Sequence, residues 1–369
     1  MSELNFKVAK QDLIAGLGIV SRLATNRMPL PILNNILLVT EDDQIILSVT
    51  DLEIGIQTTI PAEVKKPGKF TVPARLFHEF IQSSNDLYFN GKVSDDATLH
   101  LTSEHTGVKI RGLDASEFPN LPFFKALPTF SLKTETLKEA VGQVLYATAL
   151  DDTRPVLAGV LLQCKNDRLV LVATDSHRLA ERSVKYTDQS ECSVIVPKQT
   201  LLEVMRIIED KTVDISVFVG DNQIQFGYKS TLLVSRLIEG NYPPYKTIIP
   251  DSYQTRVTAH VGDLTASLKT TQLFTKDAGG MVKCQISPGN GMIIQSVADQ
   301  KGEAMSSLTA IAEGEELTIA FNAKYLLDAL SVISSDNVFI EFSGPDRPAV
   351  LRPANSKEYF SLVMPLKID

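Results

Sequence analysis

The sequence predicts an α+β protein built from three similar domains in tandem. Short β-patterned segments separated by polar turns dominate it, and helical periodicity appears at only a few places. The same order of segments also recurs at one spacing. Val49-Thr50-Asp51 returns as Ala173-Thr174-Asp175, Val72-Pro73 as Val196-Pro197, and Phe118-Pro119 as Tyr242-Pro243, each at an offset of 124 (51 to 175, 72 to 196, 119 to 243). A third copy, Phe321-Asn322-Ala323-Lys324-Tyr325, follows 125 residues after the second (196 to 321). That period is too long for a solenoid repeat, so the copies read as whole domains. The predicted boundaries are 1–124, 125–249 and 250–369, with Pro-rich stretches around 119–128 and 243–250 at the joints.

Each domain opens with a strand and an amphipathic helix. The helices are marked by Leu13, Leu17 and Val20, then by Leu137, Val141, Val144 and Leu145, then by Leu264, Leu268 and Leu273. A second helix sits near the middle of each copy; in the first it carries Leu76, Phe77, Phe80 and Ile81. The predicted strands of the first copy include Ile36-Leu37-Leu38-Val39, Ile45-Ile46-Leu47-Ser48-Val49, Leu87-Tyr88-Phe89, Leu99-His100-Leu101 and Val108-Lys109-Ile110, spaced as in an antiparallel sheet. In the second copy, Leu169-Val170-Leu171-Val172-Ala173 reads as a buried strand that stops at Thr174-Asp175-Ser176, residues whose side chains bond their own backbone in turns.

Composition bounds the function. At 369 residues the chain is long enough for about three domains, and 44% hydrophobic with 22% charged residues is the make-up of a folded globular protein. No apolar run reaches the ~18 residues of a membrane span. The start, Met1-Ser2-Glu3-Leu4-Asn5-Phe6-Lys7, lacks the basic and apolar regions of a secretory leader, so a cytoplasmic location is expected, without membrane contact. Cys164, Cys192 and Cys284 are odd in number and far apart in sequence, which predicts small core hydrophobes rather than a disulfide framework or a zinc site. A net charge of −8 argues against a protein that coats nucleic acid generally, but leaves room for a local basic surface.

The polar group at 174–178 tempts a catalytic reading. Consecutive Asp175, Ser176 and His177 rarely converge on one reacting atom, however, and no G-x-S-x-G elbow surrounds the serine. Five scattered His supply no H-E-x-x-H pair, and no Walker sequence is present. The expectation is no catalytic residue, no metal and no cofactor. Thr50-Asp51 fills the same place in the first copy, so the Thr-Asp turn belongs to the fold. Ser176-His177-Arg178-Leu179 is what distinguishes the second copy.

Three tandem copies, Ala173-Thr174-Asp175-Ser176-His177-Arg178-Leu179-Ala180, Leu237-Ile238-Glu239-Gly240-Asn241-Tyr242-Pro243, Met28-Pro29-Leu30-Pro31-Ile32-Leu33-Asn34-Asn35 and a terminal Val363-Met364-Pro365-Leu366 together resemble one family over essentially the whole chain. It is the bacterial DNA sliding clamp, the β subunit of DNA polymerase III. The resemblance implies the DNA clamp fold and a head-to-tail homodimeric ring around double-stranded DNA. Its helices would face the hole and its antiparallel sheets would lie outside. It implies a non-enzymatic processivity factor whose partners are the polymerase III catalytic subunit, the clamp loader, and other replication and repair proteins carrying short clamp-binding peptides.

By the same resemblance, a peptide groove would be walled by Leu157, Thr174, Ser176, His177, Arg178, Leu179, Pro243, Ile248, Leu362 and Met364, with Asn322, Tyr325, Pro365 and Leu366 in its second half. Leu273-Phe274 would pack between subunits. The DNA-facing set would be Arg75, Lys198 and Lys324 at the starts of the mid-domain helices, Arg206 two turns on from Lys198, Lys138 and Lys269 on first helices, and Arg27 and Arg154. Ser176 stands where a Gly is frequent, Thr247 where an Arg often lies, and Gly279-Gly280 where well-known members carry an aromatic. The competing reading is a peptide-binding structural scaffold without DNA.

Overall fold

Helical periodicity buries one stripe of each helix. The computed structural model describes residues 4–24, 30–94, 96–151, 153–186, 191–275, 279–296 and 302–368. Its helices are α1 (Lys10–Val20), α2 (Ala74–Ser83), α3 (Thr134–Leu145), α4 (Lys198–Ile207), α5 (Val261–Gln272) and α6 (Ala323–Leu330). Leu13, Leu17 and Val20 of α1, Leu137, Val141 and Val144 of α3, and Leu264 and Leu268 of α5 are buried as expected. Leu145 of α3 and Phe80 of α2 are only half-buried, and two expected positions are exposed. In α2 the buried stripe is Ala74, Phe77 and Ile81, which leaves Leu76 more than half exposed one position off the face. Leu273 caps the C-terminus of α5, past the last buried turn, and is 67% exposed.

The described residues form two compact units. The first comprises Met1–Thr134 with Leu202–Leu237. Its five-stranded antiparallel sheet runs Glu63–Lys66, Asn5–Ala9, Tyr88–Ser94, Thr98–Thr102, Gly107–Arg111. The Tyr88 strand alternates exposed and buried side chains, the mark of a half-buried strand. Leu87 lies just outside it and is exposed, its carbonyl accepting from Lys10 N at 2.8 Å.

The eight-stranded sheet of this unit runs Phe130–Lys133, Asp214–Val219, Gln223–Tyr228, Thr231–Arg236, Ile54–Pro61, Gln44–Thr50, Asn35–Glu41, Gly68–Pro73. Its middle joins second-copy to first-copy strands, with Thr231 opposite Thr58 and their hydroxyl oxygens 2.8 Å apart.

The second unit comprises Glu135–Leu201 with Ile238–Asp369. Its nine-stranded antiparallel sheet runs Cys192–Pro197, Gly159–Lys165, Arg168–Thr174, Arg178–Lys185, Tyr359–Val363, Ala349–Pro353, Asn337–Phe342, Thr255–His260, Ile311–Gly314. Here second- and third-copy strands pair, Leu179 opposite Leu362. The remaining sheet has four strands, Met305–Leu308, Gly291–Ser296, Met281–Ser287, Leu317–Asn322.

The strand predicted at 169–173 forms as Arg168–Thr174, with Leu169, Leu171, Val172 and Ala173 fully buried. Cys284 is a fully buried core residue. Cys164 and Cys192, distant in sequence, are brought directly opposite each other by strand pairing, a proximity that sequence spacing does not reveal.

Candidate functional site

The turn after the strand Arg168–Thr174 is built by its own side chains. Thr174 Oγ1 donates to Arg178 O at 2.6 Å and accepts from Ser176 N at 3.2 Å, while Asp175 Oδ1 accepts from His177 N at 2.9 Å and Arg178 N at 3.0 Å. The first copy repeats every bond. Thr50 Oγ1 donates to Ile54 O at 2.8 Å and accepts from Leu52 N at 3.0 Å, and Asp51 Oδ1 accepts from Glu53 N at 3.0 Å and Ile54 N at 2.7 Å. Threonine and aspartate are required here because they satisfy turn amides locally. Both turns need one left-handed residue, Leu52 at φ 80° and Ser176 at φ 77°. Glycine adopts that conformation without strain, whereas Ser176 holds it with a side chain.

Beyond this shared turn the two copies diverge. Arg178 is buried, its side chain 5% exposed, and its guanidinium bridges two carboxylates: Nε donates to Asp175 Oδ2 at 3.0 Å and Nη1 to Asp328 Oδ2 of α6. It also lies 4.7 Å from the Tyr325 ring centroid and 5.3 Å from that of Tyr146. Burial opposes its charge, but the Asp328 hydrogen bond and the charges of Asp175 and Asp328 outweigh that and hold it firmly protonated. Arg178 therefore ties the turn to α6 from inside rather than presenting a rim.

His177 is exposed, its ring stacked at 6.0 Å on Tyr325. Asn322 caps α6, accepting from Lys324 N at 2.9 Å and donating to Gly279 O at 3.2 Å. Gly279 and Gly280 have φ 65° and 78°, and a Cβ on Gly280 would meet the Asn322 side chain at 3.2 Å. The glycines permit that close approach.

The C-terminal segment is pinned beside these groups. Met364 N donates to His177 O at 2.9 Å and Leu366 N to Ala320 O at 2.8 Å. Met364, Pro365 and Leu366 are half-buried, Pro243 is exposed and Ile248 is 43% exposed. Beneath them, Leu179 and Leu362 share one core cluster with Val172, Tyr245 and Phe360, against which Tyr242 and Ile249 pack. Tyr242 Oη also reaches Val172 O at 3.3 Å. Leu157 is buried too, and its neighbour Val156 packs on that cluster. Thr247 turns its hydroxyl back to Pro244 O at 2.9 Å.

Of the expected groove residues, then, Ser176, His177, Pro243, Ile248, Asn322, Tyr325, Met364, Pro365 and Leu366 offer accessible surface, and Leu157, Thr174, Arg178, Leu179 and Leu362 lie beneath it. Sequence reasoning missed Asp328, Tyr146, Tyr242 and Tyr245. For Asp328 a signal existed, since it follows Tyr325 by three positions on the same face of α6.

The basic residues occupy varied settings. Lys269 and Lys324 are exposed and Lys138 is half-buried. Arg75 Nε pairs with Glu79 at 2.7 Å, and Arg206 Nη1 with Glu203 at 2.5 Å. Half-burial, then the nearby Arg178 charge, lower the Lys198 pKa. Arg154 donates to Ser176 Oγ at 3.0 Å, which places it beside the turn. Arg27, with Met28 and Pro29, lies outside the described residues. α2, α4 and α6 carry no acidic residue in their first turns, whereas α1, α3 and α5 carry Asp12, Glu135 and Asp263. A base at a bare helix N-terminus opposes the helix dipole, an arrangement suited to an anion rather than to helix stability. Past α5, Leu273 and Phe274 form an apolar pair, 67% and 38% exposed. No helix among the described residues is long and apolar enough to cross a membrane.

Comparison with known proteins covers the chain end to end. Models of the DNA polymerase III beta subunit match its N-terminal domain at residues 4–122, its central domain at 131–244 and its C-terminal domain at 246–367. The beta sliding clamp of Staphylococcus epidermidis is 30% identical, covering 99% of both chains, and that of Bacillus subtilis is 28% identical over 99% of this chain and 100% of the relative. Among solved structures, the Bacillus subtilis DNA polymerase sliding clamp superposes with a TM-score of 0.96 at 28% identity and full coverage of both chains. A Pseudomonas aeruginosa sliding clamp bound to griselimycin gives 0.93 at 28% identity, covering 99% of this chain and all of that one. With three domain models in order and full-length relatives on one fold, the chain belongs to the DNA polymerase III beta subunit family, the sliding clamps.

Proposed function

We propose that this chain is the subunit of a processivity ring: two copies close head to tail around duplex DNA and tether the replicative polymerase to its template. The domains of that subunit are 1–124, 125–249 and 250–369. It performs no chemistry of its own, acts in the cytoplasm, and depends on a clamp loader for opening. Family membership over the full length supports the ring. Charge supports the DNA: Arg75, Lys198 and Lys324 stand at the starts of helices whose first turns carry no acidic residue, although Arg75 pairs with Glu79 one turn on, and they are joined by Lys138, Lys269, Arg206, Arg154 and Arg27. Such contacts attract phosphate without reading sequence and weaken with salt, so closure rather than affinity keeps the ring on DNA.

The observation that carries partner docking is the half-buried row Met364-Pro365-Leu366, held by backbone bonds to His177 and Ala320, together with the exposed Pro243 and Ile248, whose chain neighbours Tyr242 and Ile249 pack on the core cluster of Leu362. An extended peptide with apolar or aromatic anchors from the polymerase III catalytic subunit, the clamp loader or a repair protein fits such a shelf. Ser176, His177, Asn322 and Tyr325 supply its polar rim.

The clamp reading is tested by loading the protein on a nicked circular duplex and then linearising the circle. The expected result is rapid loss from the linear form and retention on the circle; equal retention on both overturns topological closure. In a paired assay, Met364→Glu abolishes polymerase binding and leaves the sedimentation of the ring unchanged. Unchanged polymerase affinity would sink the groove assignment.

A further inference from the structure

The strands Gly159–Lys165 and Cys192–Pro197 pair antiparallel, and Cys164 stands directly opposite Cys192 in their register. The Cys192 strand is an edge of the nine-stranded sheet. Opposed residues of an antiparallel pair project to the same face with Cα atoms about 4.5–5.5 Å apart, inside the roughly 4.4–6.8 Å that a disulfide spans. The two sulfurs are 2.6 Å apart, both thiols are free, Cys164 is buried and Cys192 is half-buried. We propose that Cys164 and Cys192 form an oxidation site that consumes a small hydroperoxide and closes into an intramolecular disulfide across the sheet edge.

The two thiols are poised for unequal roles. The thiol–thiol contact lowers the Cys192 pKa, whereas the same contact, followed by burial, raises that of Cys164. Cys192, half-buried on the edge strand, is the sulfur that a peroxide in solution reaches first, whereas Cys164 is buried. As the thiolate, Cys192 sulfur attacks the terminal peroxide oxygen, the O–O bond breaks, and hydroxide from hydrogen peroxide, or alkoxide from an organic hydroperoxide, leaves, giving a sulfenic acid. Cys164 sulfur then attacks the sulfenyl sulfur. The S–S bond forms, the S–O bond breaks, and the departing hydroxyl takes the Cys164 proton as water. Two thiols lose two electrons and one hydroperoxide accepts them.

The bond closes the loop from 164 to 192, which carries the strands Arg168–Thr174 and Arg178–Lys185 and the turn between them. Restricting that loop in the unfolded chain favours the folded state. Cys284 is a built-in control, fully buried and with its thiol pushed up to about 12 by burial. The proposal stands apart from the groove reading, since it rests on strand register.

The test treats reduced, full-length protein with hydrogen peroxide and reads free thiols after denaturation, non-reducing peptide maps and thermal melts. The expected thiol count falls from three to one. A linked peptide joins Cys164 to Cys192, the intact chain loses two hydrogens, and the melting midpoint rises until dithiothreitol reverses it. Cys164→Ser stops at a Cys192 oxyacid with no linked peptide, and Cys192→Ser keeps both remaining thiols. Three surviving thiols in the wild type, a Cys192 sulfinic acid without the link, or a disulfide between chains would each overturn the proposal.

Discussion

Arg178 Nε lies 3.0 Å from Asp175 Oδ2 while Asp175 Oδ1 holds the Arg178 amide at 3.0 Å, so one carboxylate fixes both ends of the same residue. The second guanidinium arm reaches Asp328 of α6. Replacing Arg178 by Met leaves two carboxylates facing each other across a buried gap. The expected destabilisation is about 3–5 kcal/mol, the range for breaking a buried ion pair from one side. Urea unfolding measures it. Arg178→Lys recovers little, because an ammonium cannot serve two carboxylates in the geometry of a planar fork. Full recovery by Lys would show that charge, not geometry, holds the turn.

Ser176 gives a second, smaller test. Its φ of 77° costs an L-residue about 1–2 kcal/mol, most for β-branched side chains. Ser176→Val should lower stability by about that amount, and Ser176→Gly should leave it unchanged or raise it slightly, despite losing the Arg154 bond to Ser176 Oγ. Thermal melts of the two variants should separate in that order. The reverse order would mean that the Arg154 contact outweighs backbone strain.

These two residues also mark how far sequence reading reaches. The Thr174-Asp175 turn was legible because its bonds span two to four positions, and its first-copy counterpart supplied a second instance. The Arg178 to Asp328 bridge joins residues 150 apart and depends on where α6 packs, which no local pattern encodes. Leu76 failed for a different reason. Spacings of three and four fit both a 76–80 and a 77–81 stripe, and packing of α2, chiefly against α1, buries the second. Register likewise decides the Cys164 to Cys192 pairing, and register is set by tertiary contacts. Within the residues expected to line a groove, the sequence does not separate those that face solvent from those that lie beneath. Leu179 and Leu362 read like Met364 in sequence and differ only in packing.

Asp86 predicts a pH dependence in the first compact unit. It accepts from Ser103 Oγ and sits 2.7 Å from His105 Nδ1. The Ser103 bond, then the His105 bond, hold its pKa at about 2. An unfolded aspartate titrates at about 3.9, so the folded value is depressed. Its contribution is complete above the unfolded pKa and is lost as pH falls towards 2. Melts of wild type and Asp86→Asn between pH 5 and pH 2 should therefore converge as acid is added. A constant gap across that range would show that the carboxylate charge contributes nothing.

Leu273 and Phe274 test the assembly. Both come after the last buried turn of α5, and they expose 67% and 38% of their surface. Solvent contact with two adjacent large apolar residues costs on the order of 25 cal/mol per Å² of apolar area, which a second copy would recover by covering them. Leu273 leaves two thirds of its surface in solvent and Phe274 more than a third, so charging the pair is expected to spare the fold. Leu273→Asp combined with Phe274→Asp is expected to keep the wild-type melting midpoint and circular dichroism while shifting sedimentation from dimer to monomer. The monomer should then fail to stay on a circular duplex, because an open ring has no topological hold. Loss of the fold along with the dimer would place the pair in the domain core instead, and a persistent dimer would move the interface elsewhere.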